Sequence, residues 1–430
     1  MRIAFFEDER AAGLIPIALM RPVFELVCGQ WPLRERLIRS LRVTEWGVFV
    51  REHLAASYRE AHPEARVNDF AWLAEGPTLV LNGRWLPSLQ PLAALHRDEA
   101  GMIGQAVAWI TLDPLEVPLV ADGRWTDGLP RIARTRNVVK AGGVLIEHPW
   151  DLIEQNSRQI HADFLAREHR PVVRDFGPQV ALLGPADHIA VHPSVQVDPF
   201  VVIDARKGPV TIDARAVIQS FTRIEGPCHI GHESQLFRAT IRGGTTVGPV
   251  CRVGGDVEAS ILHSHVNKYH DGFLGHSYVC PWVNLGAQST TSDLRNDYGP
   301  VKVPLEGEPI ETRLTKVGSF LGDYARAALG SLFNTGSSIG VLAMVMPAGP
   351  LLPRHVPSFS QFWNGELAET FDLEQSVAIA RAAMRRRNCE LSRSQERLLR
   401  TVYELTTGER EEALRRSRER RMARQALAVP

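Results

Sequence analysis

Aliphatic residues recur at every sixth position through much of the second half of the chain. The step is kept at Ile189, Val195 and Val201, at Ile212, Ile218, Ile224, Ile230 and Leu236, at Val247 and Val253, and at Leu321, Ala327, Phe333, Ile339 and Val345. Such a period fits neither an α-helix nor an alternating strand. It predicts a parallel β-helix of hexapeptide repeats, normally left-handed, whose coils each point aliphatic side chains into a triangular core. A β-sandwich is less favoured, because its turns come about every 8–12 residues.

Before residue 180 the pattern is that of an α/β protein. Short apolar runs predict buried strands, and longer mixed segments separate them. The runs are residues 2–6, 46–50, 78–83 and 117–123. Their alternation with mixed segments predicts a Rossmann-like α/β sheet domain over residues 1–180. Residues 147–169 predict a helix that leads out of this domain, with an apolar stripe of Leu152, Ile153, Ile160 and Phe164.

The six-residue pattern stops near residue 358 and gives way to helical patterns. We therefore predict the β-helix over residues 185–358 and a helical tail over residues 366–430. The tail ends in an arginine-rich segment that has the charge to contact RNA or an anionic surface. Glutamates are interleaved with these arginines, which favours a solvated amphipathic helix instead. No nucleic-acid partner is therefore expected.

The composition indicates the location and the excluded partners of the protein more than it indicates its function. The 430 residues carry 49 basic and 49 acidic side chains, so no overall field attracts the chain to nucleic acid or membrane. The N-terminus lacks a signal-peptide pattern, and no long apolar run predicts a membrane span. The five cysteines form no CxxC pair, which predicts reduced thiols in the cytoplasm. His263 and His265 lack a third ligand nearby, so no metal site is predicted there.

A sheet domain followed by a hexapeptide β-helix resembles the GlmU-like sugar-nucleotide enzymes, and more closely their divergent nucleotidyltransferase branch. The stretches that carry this resemblance are "RPVFELVCGQWPLRERL", "NGRWLP", "WDLIEQNSRQIHADF" and "NKYHDGFLGHSYVCPWVNLGAQSTTSDLRNDYGPVKV". It covers about residues 1–388.

The resemblance implies two transferase activities and a homotrimer. On the β-helix it implies acyl transfer from acetyl-CoA to an amino-sugar phosphate. In the first domain it implies nucleotidyl transfer from UTP or another NTP to a sugar 1-phosphate. The alternative is a sugar-nucleotide pyrophosphorylase, or a nucleotide-sugar-binding protein, whose β-helix serves only as a trimerising or regulatory scaffold.

The resemblance also implies an acyl-transfer site on the β-helix. His270 would be the general base that takes the amine proton. Asn284, fourteen residues later and the first residue of "NLGA", would contact the sugar substrate, and Ala287 and Asp323 would contact CoA. Two structural interpretations stay open. His270 could be a hydrogen-bonded turn residue, and Asn284 could pair with asparagines of neighbouring coils.

Further substrate contacts follow from the same resemblance. Lys268 is a candidate for the sugar phosphate, and Asn296 and Tyr298 lie near the position of an asparagine–tyrosine pair. Phe273 stands where the better-known branch has a tyrosine, so a phosphate-binding hydroxyl is absent there. The acceptor is therefore expected to differ from glucosamine 1-phosphate.

The first domain departs from the pattern that nucleotidyl transfer requires. A phosphate-binding, glycine-rich loop is reduced to the lone Gly13, and Arg21 is the best candidate for a phosphate contact. At the strand end where the family places a Mg²⁺-binding aspartate, the chain has Asn82, followed by Arg84. The sequence leaves Mg²⁺ in this domain open. The carboxylates that could substitute are Asp8, Asp69 and Asp122.

Overall fold

A seven-stranded, mostly parallel sheet with helices on both faces forms the first part of the chain. The computed structural model describes residues 1–41, 43–88, 96–167, 176–347, 351–369 and 372–427. In spatial order the sheet strands are Asn137–Lys140, Glu99–Ile103, Ala106–Leu112, Thr78–Asn82, Arg2–Phe6, Glu45–Phe49 and Arg66–Val67. Ile3 and Phe5 point into the core on one face, whereas Ala4 and Phe6 point into the core on the other.

Within the described residues of this part, five α-helices and several short elements surround the sheet. The α-helices are α1 (Leu33–Ser40), α2 (Glu52–Ala61), α3 (Phe70–Leu73), α4 (Trp125–Ala133) and α5 (Pro149–Leu165). The short strands are Val27–Cys28, Trp31–Pro32, Trp85–Leu86 and Val144–Leu145, and the 3-10 helices are Glu9–Leu14, Val23–Glu25, Pro114–Leu119 and Ala121–Gly123. The predicted stripe of α5 is confirmed, because all four of its apolar residues are buried.

The strand predicted over residues 117–123 is wrong. This run forms two 3-10 helices, Pro114–Leu119 and Ala121–Gly123. Pro118 has no backbone N–H to donate to a neighbouring strand, which disfavours a place inside a sheet. At the start of the first turn, the backbone N–H of Asp113 donates to Glu116 Oε2 at 3.0 Å. Val117 and Val120 are nevertheless buried against the sheet, so their apolar character reflects packing and not strand structure.

The second part of the chain is a parallel β-helix. One sheet stacks nine strands: Ile189–Val191, Val210–Ile212, Cys228–Ile230, Thr245–Val247, Ile261–Leu262, Tyr278–Val279, Ser319–Leu321, Ser337–Ile339 and His355–Val356. A second, fourteen-stranded sheet contains Ala181–Leu183, Gln196–Val197, Val202–Asp204, Val217–Ile218, Arg223–Glu225, Gln235–Ile241, Arg252–Glu258, Asn267–Lys268, Phe273–Gly275, Asn284–Leu285, Arg326–Ala327, Met344–Val345, Ser360–Trp363 and Glu366–Glu369. The long strands Gln235–Ile241 and Arg252–Glu258 each pair with two strands of a neighbouring coil, so two faces of the prism merge into this sheet. The left-handed winding stays a prediction.

The six-residue pattern correctly predicted the core of the β-helix. All fifteen of the aliphatic and aromatic positions named for it are buried in one cluster. Adjacent coils stack them in register, as in the pairing of Ile212 with Ile230 and of Leu321 with Ile339. The chain leaves the prism between the bridged residues Leu294 and Lys316, where Lys302–Leu305 and Glu308–Glu311 form a hairpin. The strands Thr290–Thr291 and Leu332–Phe333 pair on either side of this excursion.

Three helices follow the β-helix: α6 (Leu373–Arg385), α7 (Arg393–Leu405) and α8 (Thr407–Leu427). They pack on one corner of the prism, where the Tyr324 hydroxyl lies 3.3 Å from Met384 Sδ and the Phe359 ring meets Tyr403 edge-on. The arginines of α8 are paired with acids, for example Arg415 with Glu412 and Glu419. Across the described ranges, no helix is both long and apolar enough to cross a membrane.

The sheet domain and the β-helix share one hydrophobic core. Tyr278 and Phe320 of the β-helix belong to the same buried cluster as Leu152 of α5. Polar groups are paired across this interface. The buried Asn156 accepts the Gly29 N–H at 2.7 Å and donates to the Gly244 carbonyl at 2.7 Å. Because these buried groups satisfy one another, the relative position of the two parts is specified by both packing and hydrogen bonds.

Candidate functional site

The loop that carries His270 connects the strands Asn267–Lys268 and Phe273–Gly275 within one coil of the prism. His270 is exposed, and its ring lies edge-on to Tyr269 with 4.9 Å between ring centroids. Gly272 closes the loop at a φ of +130°, and a Cβ there would lie 2.2 Å from the Ser289 carbonyl oxygen. Only glycine fits this close approach of two coils. The imidazole is therefore presented to solvent by a loop whose backbone has little freedom.

Lys268 fixes this loop from inside the β-helix. Its side chain is buried, and Nζ donates to the carbonyl oxygens of Gly254 at 2.7 Å and His270 at 2.9 Å. Burial lowers the pKa of the Lys268 ammonium to about 8, although Asp271 and Asp256 counteract part of this effect. The resemblance implied a contact with a sugar phosphate, but the ammonium points at backbone carbonyls. In this structure Lys268 positions the backbone of the candidate base.

Asn284 lies one coil away from Asn267 and is hydrogen-bonded to it. Asn267 Nδ2 donates to Asn284 Oδ1 at 2.9 Å, and the two residues are directly paired in neighbouring strands. This is the asparagine pairing that the sequence left open as a structural role. Asn284 remains partly exposed. Ala287, in the turn that follows, accepts the Gly330 N–H at 2.7 Å through its carbonyl oxygen.

The other predicted substrate contacts lie at the edge of the prism. The Phe273 ring lies beside Gly275, where an added Cβ would come within 2.5 Å of it. Asn296 and Tyr298 are exposed in a turn that an ion pair between Arg295 and Asp297 holds. That turn belongs to the excursion from the prism and not to the loop that carries His270. These roles stay predictions.

A histidine–aspartate pair that the sequence reasoning did not select lies close in sequence to the His270 loop. His276 Nδ1 and Asp293 Oδ2 are 2.8 Å apart, and both side chains are largely buried. A carboxylate so placed fixes the orientation and tautomer of an imidazole. The two residues are 17 positions apart, as are Asn267 and Asn284. A search at this coil-to-coil spacing would have found both pairs.

Arg21 and Asp323, predicted to contact a phosphate and CoA, contact each other. Arg21 Nη1 lies 3.0 Å from Asp323 Oδ2, and Nη2 is in contact with Oδ1. Burial alone would lower the pKa of the Arg21 guanidinium, but the carboxylate of Asp323 outweighs this effect and the pKa is raised. Both side chains are nearly inaccessible. The ion pair joins the sheet domain to the β-helix, and the predicted contacts of Arg21 with a phosphate and of Asp323 with CoA stay predictions.

A cleft of about 1040 Å³ opens at the carboxyl ends of Arg2–Phe6 and Thr78–Asn82 in the sheet domain. Ligands of open α/β sheets usually bind at this end of the strands. The resemblance places Mg²⁺ here, so the oxygen atoms at these strand ends decide whether the ion fits.

Those oxygens already have partners. Both carboxylate oxygens of Asp8 accept from Arg84, at 2.7 and 2.6 Å, and one also accepts from Asn82 Nδ2 at 2.9 Å. The side-chain oxygen Oδ1 of Asn82 accepts the backbone N–H of Arg84 at 3.0 Å. Mg²⁺ requires oxygen ligands in near-octahedral geometry, and a guanidinium at their centre excludes it electrostatically. The residues present do not fit Mg²⁺.

The other candidate metal ligands are used elsewhere. Asp69 caps α3, where it accepts the Trp72 N–H at 2.8 Å, and the side chain of Asp122 lies outside the described residues. His263 Nε2 lies 3.2 Å from the Glu25 carbonyl oxygen, and burial lowers the pKa of its imidazole to about 3. His265 instead stacks on a tryptophan ring. Among the residues the structure describes, no three His, Cys, Asp or Glu side chains are grouped to hold a metal ion.

Comparisons with known proteins match both parts of the chain. Residues 3–170 match the model of the family described as sugar nucleotidyl transferase. The uncharacterized acetyltransferase YaiX of Escherichia coli (strain 536) is 28% identical over 182 residues, which are 42% of this chain and 79% of that protein. The bifunctional protein GlmU of Methanococcus maripaludis (strain C5) is 27% identical over 90 residues, which are 21% of this chain and 22% of that protein. A solved UDP-N-acetylglucosamine acyltransferase from Arabidopsis is 12% identical, covers 56% of this chain and 94% of its own, and has a TM-score of 0.22.

These matches show that the protein is a transferase. Within that class the chain is similar to GlmU-like proteins, and its match to the sugar nucleotidyl transferase model is confined to residues 3–170. The chain covers most of YaiX but only about a fifth of GlmU, so the activities of GlmU do not transfer to it as a whole.

Proposed function

We propose that the β-helix transfers an acetyl group from acetyl-CoA to the amino group of an amino-sugar phosphate, with His270 as the general base. The observation that carries this proposal is the exposed imidazole of His270 on a loop that Lys268 holds from the core. A rigid scaffold that presents one exposed base is what proton abstraction from a bound amine requires. The match to the acetyltransferase YaiX supports the acyl donor.

In this reaction the amine nitrogen attacks the thioester carbonyl carbon and forms the new C–N bond. His270 takes the proton that the nitrogen loses, the C–S bond breaks, and CoA leaves as a thiol after protonation. Asn284 would orient the sugar from the neighbouring coil, and Ala287 would lie against the acyl donor. Phe273 offers no hydroxyl to a phosphate, so the acceptor is an amino sugar whose phosphate is held by other groups.

The assembly that we propose is a homotrimer, in which the CoA arm lies between two neighbouring β-helices. We also infer a cytoplasmic location, because all five cysteines are free thiols. The match of residues 3–170 to the sugar nucleotidyl transferase family supports nucleotidyl transfer in the sheet domain, whereas the pairing of the groups at the strand ends with one another disfavours it.

The test is a thiol-release screen with acetyl-CoA and a panel of amino-sugar phosphates. The proposal predicts release of CoA with at least one acceptor, in proportion to the acetylated product found by mass spectrometry. If no acceptor in the panel gives product, the β-helix is a scaffold and the proposal is wrong.

A further inference from the structure

Two aromatic side chains lie beside His270, and the proposed reaction leaves them without a role. The ring centroids of Phe237 and Tyr269 are 4.2 Å apart, and those of Tyr269 and His270 are 4.9 Å apart. Tyr269 is 41% exposed, and Phe237 is half-buried. The three rings therefore form one continuous patch with the candidate base at its end. We call Phe237 and Tyr269 the aromatic platform.

A glycine in the coil between them allows these two rings to meet. Phe237 pairs with Gly254 in the neighbouring strand, and Tyr269 lies over Gly254 in the coil after that. Strands of adjacent coils are about 4.8 Å apart, so Phe237 and Tyr269 begin about 10 Å from each other. Because Gly254 has no side chain, the rings close over it, and an added Cβ there would lie 2.1 Å from the Tyr269 carbonyl oxygen. The platform is thus built into the stacking of three coils.

The charges at this corner favour a cation on the platform. Asp271 lies in the loop of the candidate base, and the Asp256 N–H donates to the Gly272 carbonyl oxygen of the same loop at 3.2 Å. Both carboxylates are exposed, and neither forms an ion pair with any residue that the structure describes. The Lys268 ammonium, on which both act, is buried and donates to backbone carbonyl oxygens. The exposed Arg238 offsets only one of the two negative charges.

An aromatic face next to a base discriminates between amines and alcohols. A ligand cation within about 6 Å of the centroid of a Tyr or Phe ring is attracted by the negative face of the ring. The amino group of a free amino sugar is protonated near neutral pH and carries such a charge, whereas a hydroxyl group does not. An ammonium on the Tyr269 ring also lies within reach of the His270 imidazole, because the two rings are neighbours.

We propose that the aromatic platform of Phe237 and Tyr269 binds the protonated amino group of the acceptor and thereby selects amines over the corresponding hydroxyl compounds. His270 takes one proton from this ammonium and returns it to solvent, to which the imidazole is exposed. The neutral amine that remains is the nucleophile of the acyl transfer. This inference rests on the function proposed above, and it adds the residues that specify an amine as the acceptor.

The experiment is a ligand-observed NMR titration of the full-length protein without an acyl donor. The probes are two pairs that differ only in the amine: glucosamine 6-phosphate with glucose 6-phosphate, and galactosamine 1-phosphate with galactose 1-phosphate. We expect at least one amino compound to bind about three- to thirtyfold more tightly than its hydroxyl partner. Tyr269→Leu should bring this ratio close to one without changing the Kd of the hydroxyl compound, whereas Tyr269→Phe should keep it. Phe221→Leu, at an exposed ring that stacks on Phe200 in an earlier coil, is the control and should also keep the ratio.

Three results would overturn the proposal: equal Kd values within both pairs, an unchanged ratio in Tyr269→Leu, and the absence of binding by either amino compound. Measurements of CoA release separate this outcome from a failure of the acyl transfer. If CoA release requires His270 but Tyr269→Leu keeps the wild-type kcat/KM, the acyl transfer stands and the role of the platform is wrong. If Tyr269 confers amine selectivity but no acceptor releases CoA, the ammonium site stands and the acyl transfer is wrong.

Discussion

Arg21 and Asp323 lie 302 residues apart in the chain and form a buried ion pair between the sheet domain and the β-helix. The pair also lies beside the shared hydrophobic core of the two parts, since Cys280 is within 3.5 Å of Arg21. A buried charge that loses its partner is strongly unfavourable. The pair therefore makes the two parts depend on each other for stability.

We expect Arg21→Met to lower the free energy of unfolding by about 3–5 kcal/mol, because Asp323 is then left buried without a counter-ion. Urea unfolding followed by circular dichroism measures this change. Arg415→Met, which removes the two exposed ion pairs of Arg415 with Glu412 and Glu419 in α8, is the control and should cost less than about 1 kcal/mol. Equal effects of the two substitutions would show that the Arg21 pair is not a stabilising interdomain contact.

The lowered pKa of the buried Lys268 ammonium predicts that the stability of the protein depends on pH. The pKa of its ammonium is lowered to about 8 from an ordinary value of 10.5. Between these two values the unfolded chain binds more protons than the folded one, so stability rises with pH in this window. Below about pH 8 the cost of the buried charge is fully present. The gain through the window is up to about 3 kcal/mol.

The measurement is the difference in unfolding free energy between wild type and Lys268→Met from pH 7 to pH 10.5. Wild type should gain on the variant as the pH rises, because the variant has no charge to lose. Lys207→Met, at an exposed position of the same β-helix, should follow the wild-type profile. Parallel profiles for wild type and Lys268→Met would contradict a buried, charged Lys268.

Variants of the hydrogen-bonded residues Asn267 and Asn284 can distinguish a structural role of Asn284 from a role in substrate binding. We expect Asn284→Ala to cost about 1 kcal/mol of stability, because it leaves the Asn267 amide without its partner. A double-mutant cycle with Asn267→Ala isolates this coupling. If Asn284 also binds the sugar, KM for the acceptor rises in Asn284→Ala and not in Asn267→Ala. A KM that rises equally in both variants would assign the effect to the scaffold.

The oligomeric state is a separate prediction. The proposed homotrimer, with a CoA groove between neighbouring β-helices, should give three times the mass of one chain in light scattering coupled to gel filtration. A monomer at micromolar concentration would contradict the intersubunit site, although not the fold.

The sequence predicted the β-helix core because each position repeats the same physical requirement. From Ile212 to Leu236, every sixth side chain fills the same prism, so the pattern is visible without any long-range information. The same step passes through Leu262, Lys268 and Leu274, and could have shown that Lys268 points inward.

Contacts between the two parts could not be predicted in this way. Arg21 and Asp323 follow no shared period, and their pairing depends on how the sheet domain packs on the prism. The Asp8–Arg84 ion pair could not be predicted from a sequence pattern either, because it forms only where the ends of two strands are neighbours in the sheet. The error over residues 117–123 has a local cause, since apolar residues in a 3-10 turn and in a short strand have the same composition.

The most direct test of the central claim is the rate of acetyl transfer in His270→Ala, measured as CoA release with the best acceptor from the screen. We predict a loss of about 10²–10⁴-fold in kcat with an unchanged circular dichroism spectrum. His192→Ala, an exposed histidine elsewhere on the β-helix, should keep the wild-type rate. A His270→Ala variant that transfers acetyl groups as fast as wild type would contradict His270 as the general base.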